Sequence, residues 1–197
     1  MPKSTITWGS RDEDYSDPTR FGPDVTWLRQ VHGSDVVVVT RPGEHAGEEA
    51  DAAVTDVPGC KLAVRTADCV PIVLTGDHMV GVVHAGWRGL AAGVVQATID
   101  AMNGDVNHAE IGPHIRVGCY EFGADDLDEV VRALGPQVRG VTTWSAPALD
   151  LTAGVRAALA GVPLVDDAGA CTACTDLYFS WRARKETERF ATIAWIS

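Results

Sequence analysis

The residues of this 197-residue sequence best equipped for chemistry are five cysteines and six histidines, and one of each flanks a short hairpin signal. Val70 to Thr75 and Met79 to His84 are apolar, largely β-branched runs, and Thr75-Gly76-Asp77-His78 joins them. A two-residue hairpin loop that begins with glycine suits a type II′ turn, which fixes how the flanking strands pair. With Thr75 opposite His78, paired residue numbers sum to 153, and Cys69 falls directly opposite His84. Directly opposed side chains carry Cβ atoms roughly 4.5–5.5 Å apart on one face, so a thiolate and an imidazole can converge on a single ion. Zinc accepts both, at about 2.3 Å from sulfur and about 2.0–2.1 Å from nitrogen. A third ligand must come from elsewhere, and His32, beside Gly33 between two expected strands, is the best placed remaining histidine. The competing reading is structural: a cysteine opening a buried strand is ordinarily a small hydrophobe, and a histidine closing one is often only hydrogen-bonded. Pro71, which has no N–H for a ladder, marks the first strand as an edge strand or as bulged at that point.

A second ingredient follows His84. In Ala85-Gly86-Trp87-Arg88-Gly89 a glycine-punctuated turn leads from strand into helix, aiming free N–H groups and a positive helix end at the strand terminus. With Arg88, it suits a phosphate, carboxylate or oxyanion near the ion. Alternatively, Gly86 and Gly89 serve only close packing. Asp68, just before Cys69, is a general acid or base candidate, or else a turn carboxylate. Cys171-Thr172-Ala173-Cys174 is a CxxC that invites a redox or second-zinc reading, but no second CxxC completes four ligands, and a structural or incidental role is expected. Cys119 is expected to pack near the site, and Cys60 has no evident role.

These groups need a scaffold. Residues 1–24 are polar and broken by Pro18, Gly22 and Pro23, which suggests a loosely held arm with one short strand at Thr5 to Trp8. Val25 to Val31, Val36 to Thr40, Leu62 to Thr66, Val70 to Thr75, Met79 to His84, Ala109 to Ile115, Leu177 to Trp181 and Phe190 to Ile196 read as strands. One helix is expected from Arg88 to Asn103 with Gly104 at C′. Others are expected from Ala124 to Leu134, with its acidic first turn, and from Leu151 to Ala160, capped by Asp150. Strands and helices interleave irregularly, which points to a mixed-sheet α/β (α+β) domain rather than a regular βαβ array.

Composition removes some functions. Sixteen Lys and Arg against 27 Asp and Glu give a formal charge of −11, which repels nucleic acid and anionic bilayers on average. The longest apolar runs fall far below membrane-span length. No basic start runs into an apolar core near Met1, and an odd number of cysteines argues against a secreted disulfide framework. A cytoplasmic protein is expected.

Taken together, Leu28-Arg29-Gln30-Val31-His32-Gly33, Thr66-Ala67-Asp68-Cys69, His84-Ala85-Gly86-Trp87-Arg88-Gly89, and Ile111-Gly112-Pro113 with Cys119-Tyr120-Glu121 resemble the multicopper polyphenol oxidase (laccase-domain) family. It is also called the purine nucleoside phosphorylase-like or peptidoglycan editing factor family. Phe179-Ser180-Trp181-Arg182 and Thr187-Glu188-Arg189 follow its Ser-aromatic-Arg and Thr-Gly-Arg elements more loosely, with Glu188 in place of the glycine. The resemblance runs from about Trp27 to Ile196. Its relatives usually carry a longer N-terminal part with Arg-x-Gly-Gly-Val-Ser and Ser-Leu-Asn-Leu stretches, absent here, so residues 1–24 read as a shortened arm before a laccase-like domain of residues 25–197.

The resemblance implies a single domain of mixed sheets flanked by helices, in the YfiH-like layered architecture, with His32, Cys69 and His84 as metal ligands. Zinc is the expected ion, with copper ranked below it. The implied chemistry is phosphorolysis of adenosine, inosine or guanosine to base and ribose 1-phosphate, plus adenosine deamination. Asp68 would transfer protons, Arg88 with the Gly86 to Gly89 backbone would hold phosphate, and Arg29, Arg65 and Arg182 are further anion-binding candidates. A purine nucleoside and phosphate are then the partners, and the chain is expected to be a monomer or homodimer. Three other readings stand: a hydrolase editing peptidoglycan precursors, a copper-dependent polyphenol oxidase, and a non-catalytic metal-binding partner protein.

Overall fold

The apolar runs become strands of three sheets in a computed structural model that describes residues 4–197. In chain order the strands are β1 (Ser4–Trp8), β2 (Val25–Trp27), β3 (Val36–Val38), β4 (Ala52–Thr55), β5 (Lys61–Thr66), β6 (Val70–Thr75), β7 (Val80–Ala85), β8 (His108–Ile111), β9 (Arg139–Val141), β10 (Pro147–Leu149), β11 (Leu164–Asp167) and β12 (Phe190–Ile196). The helices are α1 (Trp87–Ala91), α2 (Val94–Ala101), α3 (Ala124–Leu134), α4 (Leu151–Ala158) and α5 (Trp181–Arg184). A six-stranded sheet runs β11-β8-β6-β7-β4-β3, a four-stranded sheet runs β1-β12-β5-β2, and β9 and β10 form a small pair. Both larger sheets mix parallel and antiparallel pairs, as the irregular interleaving of elements suggested.

The six-stranded sheet is the middle layer, which explains why its strands read as continuous apolar runs rather than alternating ones. Val70, Ile72 and Leu74 of β6 and Val83 of β7 join the core under the helices, with Val94, Val95, Leu127, Val130, Leu151 and Val155. Val73, Val80 and Val82 point the other way, onto Leu62, Val64, Ala194 and Ile196 of the four-stranded sheet. No helix of the described residues is long and apolar enough to cross a membrane.

Several expectations are corrected. The β6–β7 hairpin pairs Thr75 with Val80 and Pro71 with His84, so paired numbers sum to 155. The turn sits one residue further along, around Asp77 and His78, with Gly76 N donating to Met79 O at 2.9 Å, and the Asp105 carboxylate accepts the backbone N–H groups of Asp77, His78 and Met79 at 2.8, 2.8 and 3.1 Å. A Cβ on Gly76 would lie 2.0 Å from the Asp105 carbonyl oxygen, so the glycine serves close approach and is not one of the two central turn residues. Nor does Pro71 place β6 at an edge. The Pro71 carbonyl accepts from Gly112 N at 2.9 Å, so its nitrogen faces the β8 side, just beyond the last paired residue, Ile111, where no N–H is required.

The expected helix from Arg88 to Asn103 is two helices, broken where Gly93 takes φ +87. The strand expected from Val25 stops at Trp27, and the one from Ala109 stops at Ile111 before Gly112-Pro113. Leu177 to Trp181 is not a strand: Ser180 caps α5, its side chain accepting from Ala183 N. β4, β9, β10 and β11 were not anticipated. The arm is held more firmly than its polar composition suggests. β1 pairs along β12, Gly9 N and Tyr15 N donate to Ala191 O and Arg189 O at 2.8 and 2.7 Å, and Phe21 is buried.

Candidate functional site

Three chain segments meet at the end of β7. His84 lies on its penultimate residue, Cys69 immediately precedes β6, and His32 sits in the loop after β2. The Cys69 Sγ and His32 Nε2 atoms are 3.8 Å apart, the His32 and His84 rings meet edge to face at 4.9 Å, and the ligand atoms of all three lie within 4.8 Å of one another. His84 is buried, Cys69 half-buried and His32 exposed, so the cluster opens toward solvent on the His32 side. The two-residue error in register therefore did not separate Cys69 from His84. Strand side chains alternate with period two, so a shift of two changes the partner and keeps the face.

The group that organises this cluster escaped the sequence reading. Asp51 is fully buried. One carboxylate oxygen takes the His84 Nδ1 proton at 2.7 Å and His32 N–H at 3.0 Å, and the other takes Gly33 N–H at 2.7 Å and Val31 N–H at 3.1 Å. The His84 N–H in turn donates to Asp51 O at 2.7 Å. One side chain thus fixes the His84 ring with Nε2 toward the cluster and holds His32 at φ +61, a left-handed conformation unusual for a non-glycine residue. A carboxylate behind a ligating histidine is the usual way to set tautomer and orientation in a metal site. The only sequence signal was a lone acid in the otherwise apolar run Ala50-Asp51-Ala52-Ala53-Val54.

Gln30 ties the same loop to β5: its Nε2 donates to Arg65 O and its Oε1 accepts from Arg65 N, both at 2.8 Å. Gly86 has a spatial reason to be glycine, since a Cβ there would lie 2.7 Å from His32 Cδ2 and 3.2 Å from Cys69 Sγ.

Enclosure alone would push the Cys69 thiol up, but the His84 charge and hydrogen bonds from His32 and His84 outweigh it and bring the thiol down to about 6. Burial alone would lower His84, but the Cys69 charge and the Asp51 hydrogen bond raise it to about 9. The directions agree: without a cation the two form a thiolate–imidazolium pair. The donor set, the carboxylate behind it and the glycine that makes room for it fit a borderline-soft divalent cation bound by two nitrogens and one sulfur.

Around the cluster lies a cleft of about 670 Å³. His32, Asp68, Cys69, His84, Gly86, Arg29, Arg65, Arg88 and Arg182 all line it. Gly89 does not: it packs against the Gly33 carbonyl, which a Cβ would approach to 2.9 Å, so the packing reading of this glycine is the one its surroundings support. Arg29 pairs with Glu49 at 2.7 Å. Arg65 gives its Nη groups to the carbonyls of Tyr15, Ser16 and Leu28, and its buried Nε has no partner. Burial and the nearby Arg189 charge both lower the Arg65 pKa. Arg88 stacks on Trp87 at 4.2 Å and Arg182 on Tyr120 at 4.5 Å. Among the described residues, Arg65, Arg88, Arg182 and Arg189 form no ion pair, in a chain whose formal charge is −11.

The Asp68 carboxylate is largely committed. Oδ1 accepts from Thr172 Oγ1 and Ser180 Oγ, both at 2.7 Å, and Oδ2 accepts from Arg182 N at 2.6 Å, leaving one lone pair on Oδ2. Tyr120 and Arg189 also line the cleft and were not singled out from sequence as site residues. Burial pushes the Tyr120 phenol up to about 12, so it stays a proton donor at neutral pH.

Residues 15–197 match the family described as multi-copper polyphenol oxidoreductase laccase. A purine nucleoside phosphorylase of Streptomyces coelicolor is 40% identical over 191 residues, covering 91% of this chain and 76% of that one. Another, from Streptomyces griseus, is 39% identical over 183 residues, covering 87% and 74%. Among solved structures, a Neisseria meningitidis protein superposes with TM-score 0.79 at 33% identity over 91% of this chain and 77% of that one. Bacillus licheniformis YfiH, a hypothetical protein, gives 0.82 at 21% identity over 98% and 93%, a likeness of fold.

Proposed function

Since the chain belongs to the multi-copper polyphenol oxidoreductase laccase family, we propose that it is a zinc-dependent purine nucleoside phosphorylase that also deaminates adenosine. The observation that carries this reading is the shared cleft: a three-ligand cluster with an open side stands beside guanidinium groups that have no acidic partner. His32, Cys69 and His84 would hold the ion, and Asp51 would hold the ligands. A zinc ion with three protein ligands supplies Lewis acidity at its open position.

The chain's own groups then account for the rest. Arg88 and Arg182, each lying on an aromatic ring that keeps the guanidinium plane fixed, bind and orient phosphate in pairwise N–H···O contacts. Arg65 and Arg189 add positive potential on the same wall. In phosphorolysis a phosphate oxygen forms a bond to the ribose anomeric carbon while the bond from that carbon to the base nitrogen breaks, and the departing base takes up a proton. Asp68, with its remaining lone pair on Oδ2, relays that proton, and Tyr120 donates a hydrogen bond from a phenol that remains protonated. Trp181, exposed at the cleft, would supply an aromatic ring to a purine.

The histidines outside the cluster are engaged elsewhere or exposed. His45 bonds Glu48, His108 bonds Asp166, His114 bonds Gly112 and Thr152, and His78 lies on an exposed turn. This leaves no second imidazole cluster for a multi-copper relay among the described residues, and zinc therefore ranks above copper.

The test is incubation of zinc-loaded protein with inosine and phosphate, followed by chromatography. Hypoxanthine and ribose 1-phosphate should appear only with phosphate present, and Cys69→Ala should lower bound zinc and abolish turnover together. Absence of ribose 1-phosphate from zinc-replete protein would move the chain to the non-catalytic binding reading.

A further inference from the structure

A second set of metal-ligating side chains lies apart from the His32 cluster. The topology brings Cys119, at the end of the 117–119 turn, against the Cys171-Thr172-Ala173-Cys174 loop, and the three sulfurs lie within 4.8 Å of one another. Cys119 Sγ and Cys174 Sγ are 2.9 Å apart, and all three thiols are free. We propose that Cys119, Cys171 and Cys174 form a second metal site, for a thiophilic closed-shell cation (Zn²⁺ or Cu⁺), that staples the 171–174 loop to the 117–119 turn behind the cleft.

Three observations carry the assignment. First, a zinc–sulfur bond of about 2.3 Å places tetrahedrally arranged sulfurs roughly 3.8 Å apart, and the three sulfurs already lie within 4.8 Å of one another. Second, the loop is folded tightly about Cys171. The Arg116 N–H donates to Cys171 Sγ at 3.4 Å, and the Cys174 N–H closes the turn on Cys171 O at 3.2 Å. A disulfide between Cys119 and Cys174 would leave this best-prepared sulfur without a partner. Third, the donor set is all sulfur, the choice of soft cations, whereas the first cluster mixes nitrogen and sulfur. Cys174 is exposed and the other two are half-buried, so the remaining coordination position is open to water. Binding displaces the thiol protons to solvent as the metal–sulfur bonds form.

The consequence reaches the cleft. Thr172, between the two cysteines of the loop, donates its hydroxyl to Asp68 at 2.7 Å and its N–H to His114 O at 3.1 Å. Arg184 donates to the carbonyls of Thr172 and Ala173 at 3.2 and 3.5 Å. Holding the loop therefore holds Thr172 on Asp68, which makes the three cysteines positioning residues for that carboxylate.

The test strips the full-length protein with chelator under reducing conditions. It is reloaded with Zn²⁺ in one arm and with Cu⁺, kept reduced and anaerobic, in the other, then desalted and its metal counted. Wild type should retain about two equivalents, Cys174→Ser about one, and Cys69→Ser about one, the last two losses belonging to different sites. A second equivalent held only in the Cu⁺ arm identifies the cation as Cu⁺. Should Cys174→Ser fold poorly, alkylation of wild type gives the same answer: the reloaded cation should shield Cys119, Cys171 and Cys174 from modification, and chelator should restore it. The proposal is overturned if wild type and Cys174→Ser retain equal metal while Cys69→Ser loses all of it. It is equally overturned if peptide mapping finds a Cys119–Cys174 disulfide in protein that, once reduced, takes up no second cation.

Discussion

Replacing Asp51 by Asn removes a charge with almost no change of shape, and the hydrogen-bond geometry dictates the cost. The carboxylate accepts four N–H donors, two on each oxygen. An asparagine has one oxygen for two of them and must turn its NH₂ toward the other two, so in either orientation two donors lose their acceptor. An unsatisfied buried donor costs about 1–3 kcal/mol. The three loop amides are only part-buried, so water relieves some of the loss, and we expect about 2–4 kcal/mol in total. Metal affinity should fall as well, by about 10–100-fold, the usual effect of losing the group behind a ligating histidine.

Urea unfolding of stripped protein reads the first quantity, and chelator competition with zinc reads the second. Because a cation that binds only the folded state adds to stability, the variant's deficit should be larger in zinc-loaded than in stripped protein. If Asp51→Asn leaves zinc affinity unchanged while stability falls, the carboxylate only braces the loop, and its role in presenting His84 is refuted.

Two further outcomes follow from the same geometry. Gly86→Ala adds one methyl group at φ −78, where alanine is unstrained, so its whole effect should come from the contact with His32 and Cys69. Zinc affinity should drop about tenfold or more, while Gly93→Ala, at φ +87 with nothing within 4 Å, should cost about 1 kcal/mol of stability and leave zinc binding alone; equal affinities for the two variants would sink the argument. Acid should destabilise the fold in two stages. Burial, reinforced by the Arg116 charge, lowers His114 from 6.5 to about 4, so its neutral form contributes stability that is complete above pH 6.5 and is lost as pH falls toward 4, about 3 kcal/mol in all. For Asp167 burial works upward, but the Arg116 ion pair outweighs it and lowers the group from 3.8 to about 2, so its contribution is present above 3.8 and disappears toward pH 2. Urea midpoints for wild type and His114→Gln should converge between pH 6.5 and 4, and parallel curves would show that His114 is not the titrating group.

How much of this was legible in sequence depends on whether the relevant contact is local. The helix from Ala124 to Leu134, the Asp150 cap and strand β12 follow from periodicity and capping within a few residues, and they appear where expected. β4 was missed because Ala52-Ala53 has weak strand preference and becomes strand only between β7 and β3. The hairpin register was misjudged because its turn is shaped by Asp105, a residue no local rule associates with Gly76. Asp51 and the approach of Cys119 to the CxxC loop depend on topology in the same way.

The candidate metal cluster nevertheless survived the register error, for a reason general to sheets. The chemistry needed Cys69 and His84 on one face, not in one pair. An error of one residue would have put the sulfur on the opposite side of the middle layer, whereas an error of two left it beside the imidazole. Face is set by alternation along the strand itself, while partner is set by the turn. A site built from side chains on one face can therefore be read from sequence with more certainty than the hydrogen-bond ladder that carries it. The limit lies in what stands behind the site: Asp51, just before β4, reaches it through contacts with His84 of β7 and with the loop after β2, and no periodicity encodes that meeting.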